Sequence, residues 1–393
     1  MRMIKPNVFA VGVIDWDRTL FDELIPLPDG TTYNAYLIKG SQKTALLDTV
    51  EPELKDGLIE NVINADIDTI DYIVAHHAEQ DHSGSIPDIL TLYPNAKVVV
   101  NEKCKKTLMD LLHIEEEHFL VIKDGETLSL GDKTLQFFDL PWVHWPETFG
   151  TYLQEDKILF PCDFFGSHLA GSHLYVHDEA LVYEAAKRYY AEIMMPFRGP
   201  IRKHLDKLAT LDIEMIAPSH GPIYDKPKLI LDAYADWVSD TVKNEVVIPF
   251  VSMHNSTRTL VNHLVQALID RGITVKRFDL THADIGKMAI SLVDAATVII
   301  GSPTVLTEAH PLAAYATILT NALRPKTKYV SIVGSYSWAG KMPKQLTGLL
   351  TNLKAEILEP VLVKGHPKEN GFAALDNLAD TILAKHKALG IAE

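Results

Sequence analysis

Four potential metal ligands fall within six residues at His77-Ala78-Glu79-Gln80-Asp81-His82, directly after the apolar run Ile70-Asp71-Tyr72-Ile73-Val74. Side chains of this kind can converge on one point only if a rigid buried strand holds the base of the loop, so the run constrains the fold as well as the chemistry. Three further candidates end short apolar segments in the same manner. They are His144 in Leu140-Pro141-Trp142-Val143-His144-Trp145-Pro146, Asp163 in Phe160-Pro161-Cys162-Asp163, and His220 in Ala217-Pro218-Ser219-His220-Gly221. Together the four segments offer four imidazoles and three carboxylates, more than a single zinc uses and enough for two transition ions. Imidazole and carboxylate suit zinc, iron or manganese, whereas structural zinc would favour thiolates. A pair of ions also needs a carboxylate able to reach both, and Asp163, far along the chain from the clustered loop, is the candidate.

The chain changes character near residue 245. Up to there, short apolar or alternating runs (Tyr36–Ile38, Ala45–Asp48, Tyr72–Ala75, Lys97–Val100, Leu135–Phe138, Lys157–Phe160) are separated by turns such as Lys123-Asp124-Gly125. Helical periodicity predicts helices at Ala180–Met194 and Lys228–Asn244, the second closing the domain. Strands followed by helices indicate a layered α/β domain over 1–245. From 246 to 393 strand and helix alternate regularly. Val246–Val251 is a continuous apolar strand of the kind buried on both faces in a parallel sheet. Further strands are expected at Thr274–Phe278, Thr297–Ile300, Lys328–Val333 and Leu358–Val363. Five strands with crossover helices predict a flavodoxin-like doubly wound sheet of order 2-1-3-4-5, which binds ligands outside the carboxyl ends of its strands.

Three loops occupy those ends. Ser252-Met253-His254-Asn255-Ser256-Thr257 is rich in hydroxyls, lacks glycine, and precedes a helix whose free N–H groups favour a phosphate. It is therefore neither a Walker loop nor a dinucleotide fingerprint, and suits a phosphate monoester bound without lysine or magnesium. Pro303-Thr304-Val305, after Gly301-Ser302, can lay backbone along a planar ring. Ser335-Tyr336-Ser337-Trp338-Ala339-Gly340 adds aromatic faces. These positions make up the candidate flavin mononucleotide (FMN) site.

The order His-x-Glu-x-Asp-His, then His, Asp and His, resembles the metallo-β-lactamase-like fold with one departure. Zinc hydrolases of that fold carry a second histidine where this chain has Glu79. Glutamate there is a mark of the flavodiiron proteins (A-type flavoproteins), and the segments Gly30–Leu37, Leu140–Glu147 and Tyr189-Tyr190-Ala191 agree with that family, as does Gly-Ser-Pro-Thr at 301–304. The resemblance runs from Trp16 to the final helix. It implies a metallo-β-lactamase-like αββα sandwich followed by the flavodoxin-like domain, with two non-haem irons and FMN per chain. His77, Glu79 and His144 would hold one iron and Asp81 and His220 the other, with Asp163 bridging; His82 would either ligate the second iron or leave a water in its place. The implied activity is reduction of dioxygen to water, of nitric oxide to nitrous oxide, or both. His168 and Tyr190 stand as candidates for proton donation or support of the ligands. Arg258 replaces the glutamate common after the loop threonine in that family.

A head-to-tail homodimer, alone or paired into a dimer of dimers, is implied as well. No Cys-x-x-Cys module accompanies the sequence, so a separate electron donor is expected, a rubredoxin or a reduced deazaflavin coenzyme (F420H2). Two other readings stay open at this point: a zinc hydrolase with an accessory flavodoxin domain, and a flavin carrier with a vestigial metal site. Composition is compatible with a soluble two-domain chain: 393 residues, 47% hydrophobic and 23% charged. A formal net charge of −15 argues against nucleic acid, which needs phosphate-neutralising cations. No apolar run reaches the roughly 18 residues of a membrane span. Two isolated cysteines, Cys104 and Cys162, and the absence of a secretory leader pattern lead to an expected cytoplasmic location.

Overall fold

The computed structural model describes residues 1–21, 23–338 and 340–393. It divides into two compact units, one of Met1–Tyr190 with Phe197–Val238, the other of Ser239–Glu393 with Ala191–Pro196.

The first unit is built on two large sheets. One orders the strands Arg2–Lys5, Val8–Ala10, Tyr36–Lys39, Thr44–Leu47, Tyr72–Val74, Lys97–Val100 and Phe119–Val121. The other orders Thr127–Ser129, Thr134–Asp139, Phe149–Leu153, Ile158–Phe160 and Met215–Ile216. Side chains alternate across a strand, and here that alternation divides the core in two. Leu37, Leu46, Ile73 and Val98 face one way and pack with Leu58, Val62, Ile89 and Leu108 of the helices Lys55–Ile63, Ile86–Leu92 and Glu102–Leu112. Tyr36, Ile38, Leu47, Val74 and Val99 face the other way and meet Leu135, Phe137, Phe149, Ile158 and Phe160 of the second sheet. On that sheet's outer face Phe138, adjacent to Phe137, lies under Lys207 of the helix Arg198–Leu208. The result is the expected αββα sandwich.

In the second unit the strands Thr274–Asp279, Lys243–Phe250, Ala295–Val305 and Tyr329–Tyr336 pair in parallel in that order, followed by Glu356–Ile357 and Val361–Lys364 on the last. Numbered along the chain this is 2-1-3-4-5. Val246, Ile248 and Phe250 pack on the helices Ser256–Ile269 and Glu369–Ala388, while Val247, between them, is buried on the opposite face.

Three expectations need correction. The helix expected over Lys228–Asn244 spans Lys228–Val238. Lys243 and Asn244 already belong to a strand, where Lys243 N–H reaches Asp294 O at 2.8 Å. Ser239 and Asp240, whose side chains compete for backbone groups, mark the end. The helix expected over Ala180–Met194 is α-helical over Glu179–Tyr189 and continues as a π turn, Tyr190–Met194. The fifth strand is split, because Pro360 has no N–H to give a ladder.

Candidate functional site

Parallel pairing places the ends of Tyr72–Val74, Ile158–Phe160 and Met215–Ile216 so that each releases one ligand-bearing loop. The first loop is clamped at its base. Asp48 accepts from His76 N–H (2.9 Å) and meets His76 Nδ1 at 2.7 Å, while His76 Nε2 reaches Thr151 Oγ1 at 2.7 Å. His76 is thus occupied by the scaffold and its neighbour His77 is left for the cluster. A short helix, Gln80–Ser83, then turns Asp81 and His82 inward, both buried, and Thr49 holds the His82 carbonyl through N–H and Oγ1.

Six of the seven candidate ligands are arranged in two sets about the seventh. Glu79 Oε2 is 3.0 Å from both His77 Nε2 and His144 Nε2. Asp163 Oδ2 faces this set, at 3.6 Å from His77 and 3.4 Å from His144. The other oxygen, Oδ1, faces the second set, at 2.9 Å from His82 Nε2 and 3.3 Å from His220 Nε2. Asp81 completes that set, with Oδ2 3.3 Å from His220 and Oδ1 3.4 Å from His82. Within each set the ligating atoms lie within 4.8 Å of one another.

Asp163, His77, His82 and His220 are almost fully buried, while Glu79 and His144 keep some exposure and mark the open side. Both oxygens of Asp81, both ring nitrogens of His82, His144 Nε2 and Asp163 Oδ1 are buried without a hydrogen bond. Buried polar atoms normally have partners, so this convergence fits cations held between the sets. The electrostatics agree. Burial lowers the imidazoles of His77, His82, His144 and His220, yet the carboxylates beside them outweigh it and push all four up. Burial also raises Asp163, and the surrounding histidines overcome it to hold the acid well below its ordinary range. Cys162 Sγ adjoins His82 and Asp163, but burial raises its thiol far up, leaving it a protonated filler instead of a thiolate.

The ring nitrogens pointing away from the cluster are anchored. His77 Nδ1 donates to Glu147 Oε1 at 2.8 Å, and Ala78 N–H reaches the same oxygen at 3.2 Å. His220 Nδ1 donates to Thr32 O at 2.7 Å. Such bonds turn Nε2 toward the site and, with a metal bound, would leave it as the ligating nitrogen. The role of the Gly30–Leu37 segment is visible here: Asn34 Nδ2 donates to Pro218 O and Gly221 O, and Tyr36 Oη donates to Pro218 O, together pinning the His220 loop.

His168 is buried beside this shell. Its Nδ1 meets Thr31 Oγ1 at 2.9 Å and its ring lies 4.9 Å from that of His220; burial, then the His220 charge, hold it far down. Tyr190 requires a correction. Its hydroxyl donates to Trp237 O at 3.3 Å and its ring packs on Tyr234 and Trp237, all within the core. One residue earlier on the helix, Tyr189 is the tyrosine whose ring lies 4.8 Å from His168 and 5.9 Å from His220. Sequence reasoning also passed over Glu147 and Thr32.

In the second unit a cleft of about 160 Å³ is lined by Ser252, Met253, His254, Ser256, Thr257, Pro303, Thr304, Ser335, Tyr336 and Ser337, all from the three expected loops. Gly365, after the fifth strand, joins them; the strand-end rule that located the other loops applies to it equally. Asn255, Val305, Trp338 and Gly340 are not part of the lining, and Ala339 lies outside the described residues. Asn255 is left-handed (φ 65°) and begins the helix without a side-chain cap, while Ser252 Oγ accepts from Arg258 N–H at 3.2 Å. Thr304 Oγ1 is buried without a hydrogen bond. An anion at a helix N-terminus with hydroxyls around it suits this cleft. Arg258 is turned to Asp279, with Nη2 2.7 Å from its carboxylate.

Comparison with known proteins bears on both sites. Residues 31–221 match the ODP family beta lactamase and 248–375 match flavodoxin. The rubredoxin-oxygen oxidoreductase of Megalodesulfovibrio gigas is 32% identical over 388 residues, 96% of each chain. The nitric oxide reductase of Moorella thermoacetica is 35% identical over 362 residues, 90% of each. Among solved structures, the rubredoxin oxygen:oxidoreductase of Desulfovibrio gigas superposes with a TM-score of 0.95 at 32% identity, covering 98% of both chains. The flavodiiron protein of Giardia intestinalis gives 0.90 at 27% identity, covering 98% of this chain and 97% of that one. With a sandwich that gathers four histidines and three carboxylates and a flavodoxin unit behind it in sequence, this chain belongs to the flavodiiron protein family of flavin- and iron-dependent oxidoreductases.

Proposed function

We propose that the chain reduces dioxygen to water, nitric oxide to nitrous oxide, or both, at a pair of irons supplied with electrons by FMN. The observation that carries this reading is Asp163, whose two oxygens face two separate ligand sets. His77, Glu79 and His144 would hold one iron, and Asp81, His82 and His220 the other. When bound, two ferrous ions and a flavin hydroquinone supply the four electrons that dioxygen requires. The chain's own contribution is to hold and orient. Glu147 and Thr32 aim His77 and His220, Asp48 holds the loop base, and Trp145 packs edge-on against the His77 ring at 4.9 Å. The hairpin residue Phe21 covers His168, ring centroids 5.0 Å apart, and screens that side from water. The FMN phosphate would sit at the start of the helix Ser256–Ile269, with Thr304 and the Ser335–Ser337 loop along the rest of the flavin.

A zinc hydrolase is the weaker reading, because Glu79 replaces an imidazole and the named relatives are oxidoreductases. The metal ligands all lie in one unit and the flavin loops in the other, and a head-to-tail homodimer, single or paired, would bring one chain's flavin to its partner's irons. A rubredoxin, the donor after which the Megalodesulfovibrio gigas relative is named, or a reduced deazaflavin coenzyme would supply electrons. Among the described residues no helix is long and apolar enough to cross a membrane, and a cytoplasmic place fits the free cysteines.

The test is consumption of dioxygen and of nitric oxide by the anaerobically photoreduced protein, followed with an electrode for each gas and with mass photometry of the same sample. Rapid loss of at least one gas, confined to dimers or larger species, is expected. Loss of neither gas, with two irons and reduced flavin in place, would overturn the activity; full turnover by monomers would overturn the dimer.

Glu147 should matter more than its distance from the irons suggests. Replacing it by Gln keeps the shape but removes the charge that supports the His77 ring, and changes to such outer partners lower metal affinity by about 10–100-fold. Competition with a chelator should show faster iron loss from E147Q than from the parent protein. Equal retention would mean that Glu147 is only a scaffold residue.

A further inference from the structure

Away from the cluster, on the far side of the His220 loop, the first unit contains a cavity of about 330 Å³. That size is within the range of small-molecule sites. Its floor is apolar, built by Val13, Ile14, Leu169, Val182 and Ile223. The polar groups in the floor are already spent: Asn34 Nδ2 and Tyr36 Oη donate to the carbonyls of the His220 loop, and Thr32 Oγ1 accepts from Gly221 N–H at 2.7 Å. With those groups engaged and the rest of the floor apolar, the interior favours hydrocarbon or aromatic surface.

The mouth is different. Arg2 spends Nη1 on Ser172 O (3.0 Å), which leaves the rest of its donor fork for a ligand. His173 and His177, both exposed, stack with centroids 4.1 Å apart and planes within 15°, and each carries a ring N–H in either protonation state. The acid at the rim, Asp178, caps the helix that begins there, one oxygen (Oδ1) accepting from the N–H groups of Ala180 and Leu181 at 3.0 Å each, so its charge is partly offset by the helix N-terminus. The mouth therefore presents the Arg2 guanidinium and two imidazoles, beside the capping Asp178, above an apolar pit.

We propose that this cavity is a second small-molecule site, for an amphipathic carboxylate with an apolar body the size of a medium-chain acyl or single-ring aryl group. The carboxylate binds Arg2 and the histidine pair, and the body fills the pit. The back wall of the site is the Thr32–Gly221 contact that also carries the carbonyl holding His220.

Octanoate is the probe, titrated calorimetrically into the iron- and FMN-loaded protein, with octanol as its uncharged counterpart. Saturable binding at one site per chain is expected, with octanol weaker. Arg2→Gln should weaken octanoate by about 10-fold or more, the loss of a charge-assisted hydrogen bond. Leu181→Glu is the second variant. Leu181 is 45% exposed in the first turn of its helix, where a carboxylate is favourable to the fold, yet the new charge would repel the ligand at the mouth. Absence of saturable binding at millimolar octanoate would overturn the proposal. So would octanoate binding unchanged in both variants, or octanol binding as tightly as octanoate.

Discussion

Replacing Asp163 by Ala is expected to leave no more than one iron per chain and to lower gas consumption by at least about 1000-fold, on the scale set by losing a whole catalytic unit. The reasoning is electrostatic. Two doubly charged ions roughly 4 Å apart repel by about 16 kcal/mol at an effective dielectric constant near 20. The carboxylate that faces both sets, Oδ2 toward His77 and His144 and Oδ1 toward His82 and His220, is the group placed to offset that repulsion for both ions at once. Without it each set still holds three ligands, so one ion can remain, but the pair cannot. Asp163→Asn, which preserves the shape and removes the charge, should behave likewise. Iron analysis and the two gas electrodes read the result, and FMN content should stay at the parent level because the flavin loops belong to the other unit. Two irons retained in both variants would show that Asp163 does not bridge.

The seven clustered residues were legible in the sequence because coordination chemistry accepts few side-chain types and because each sits just past a short apolar run. The loops that line the cleft were legible for a related reason, since the carboxyl ends of parallel strands are where a doubly wound sheet exposes its loops. What could not be read depends on packing between distant segments. Tyr189 and Tyr190 differ by one step of about 100° around a helix, and only the contact of Tyr190 with Tyr234 and Trp237 decides which tyrosine turns to His220. Glu147 is one acid among many until the Leu140–Glu147 loop folds back on His77. The end of the helix at Val238 is set by a strand partner, Asp294, more than fifty residues away. His76 and His77 look alike in sequence. The clamp from Asp48 and Thr151 separates them, Asp48 just past the strand Thr44–Leu47 and Thr151 in the middle of the strand Phe149–Leu153.

Replacing Ser256 by Asp is expected to leave the flavodoxin unit folded while lowering FMN affinity by more than about 100-fold, since like charges brought together in a binding site cost several kcal/mol. Ser256 opens the helix Ser256–Ile269, where Asn255 supplies no side-chain cap. A carboxylate in this first turn interacts favourably with the helix dipole, by about 0.3–1 kcal/mol, so the apoprotein should melt no lower than the parent. The same charge would occupy the ground the phosphate needs. Riboflavin, which has the ring but no phosphate, separates this effect from general damage: its affinity should be nearly equal in the variant and the parent. Fluorescence titration of both flavins into apoprotein makes the comparison, with iron content as the control for the other unit. FMN bound as tightly by S256D as by the parent would place the phosphate elsewhere in the cleft. Equal losses for FMN and riboflavin would mean that the substitution disturbs the ring site instead.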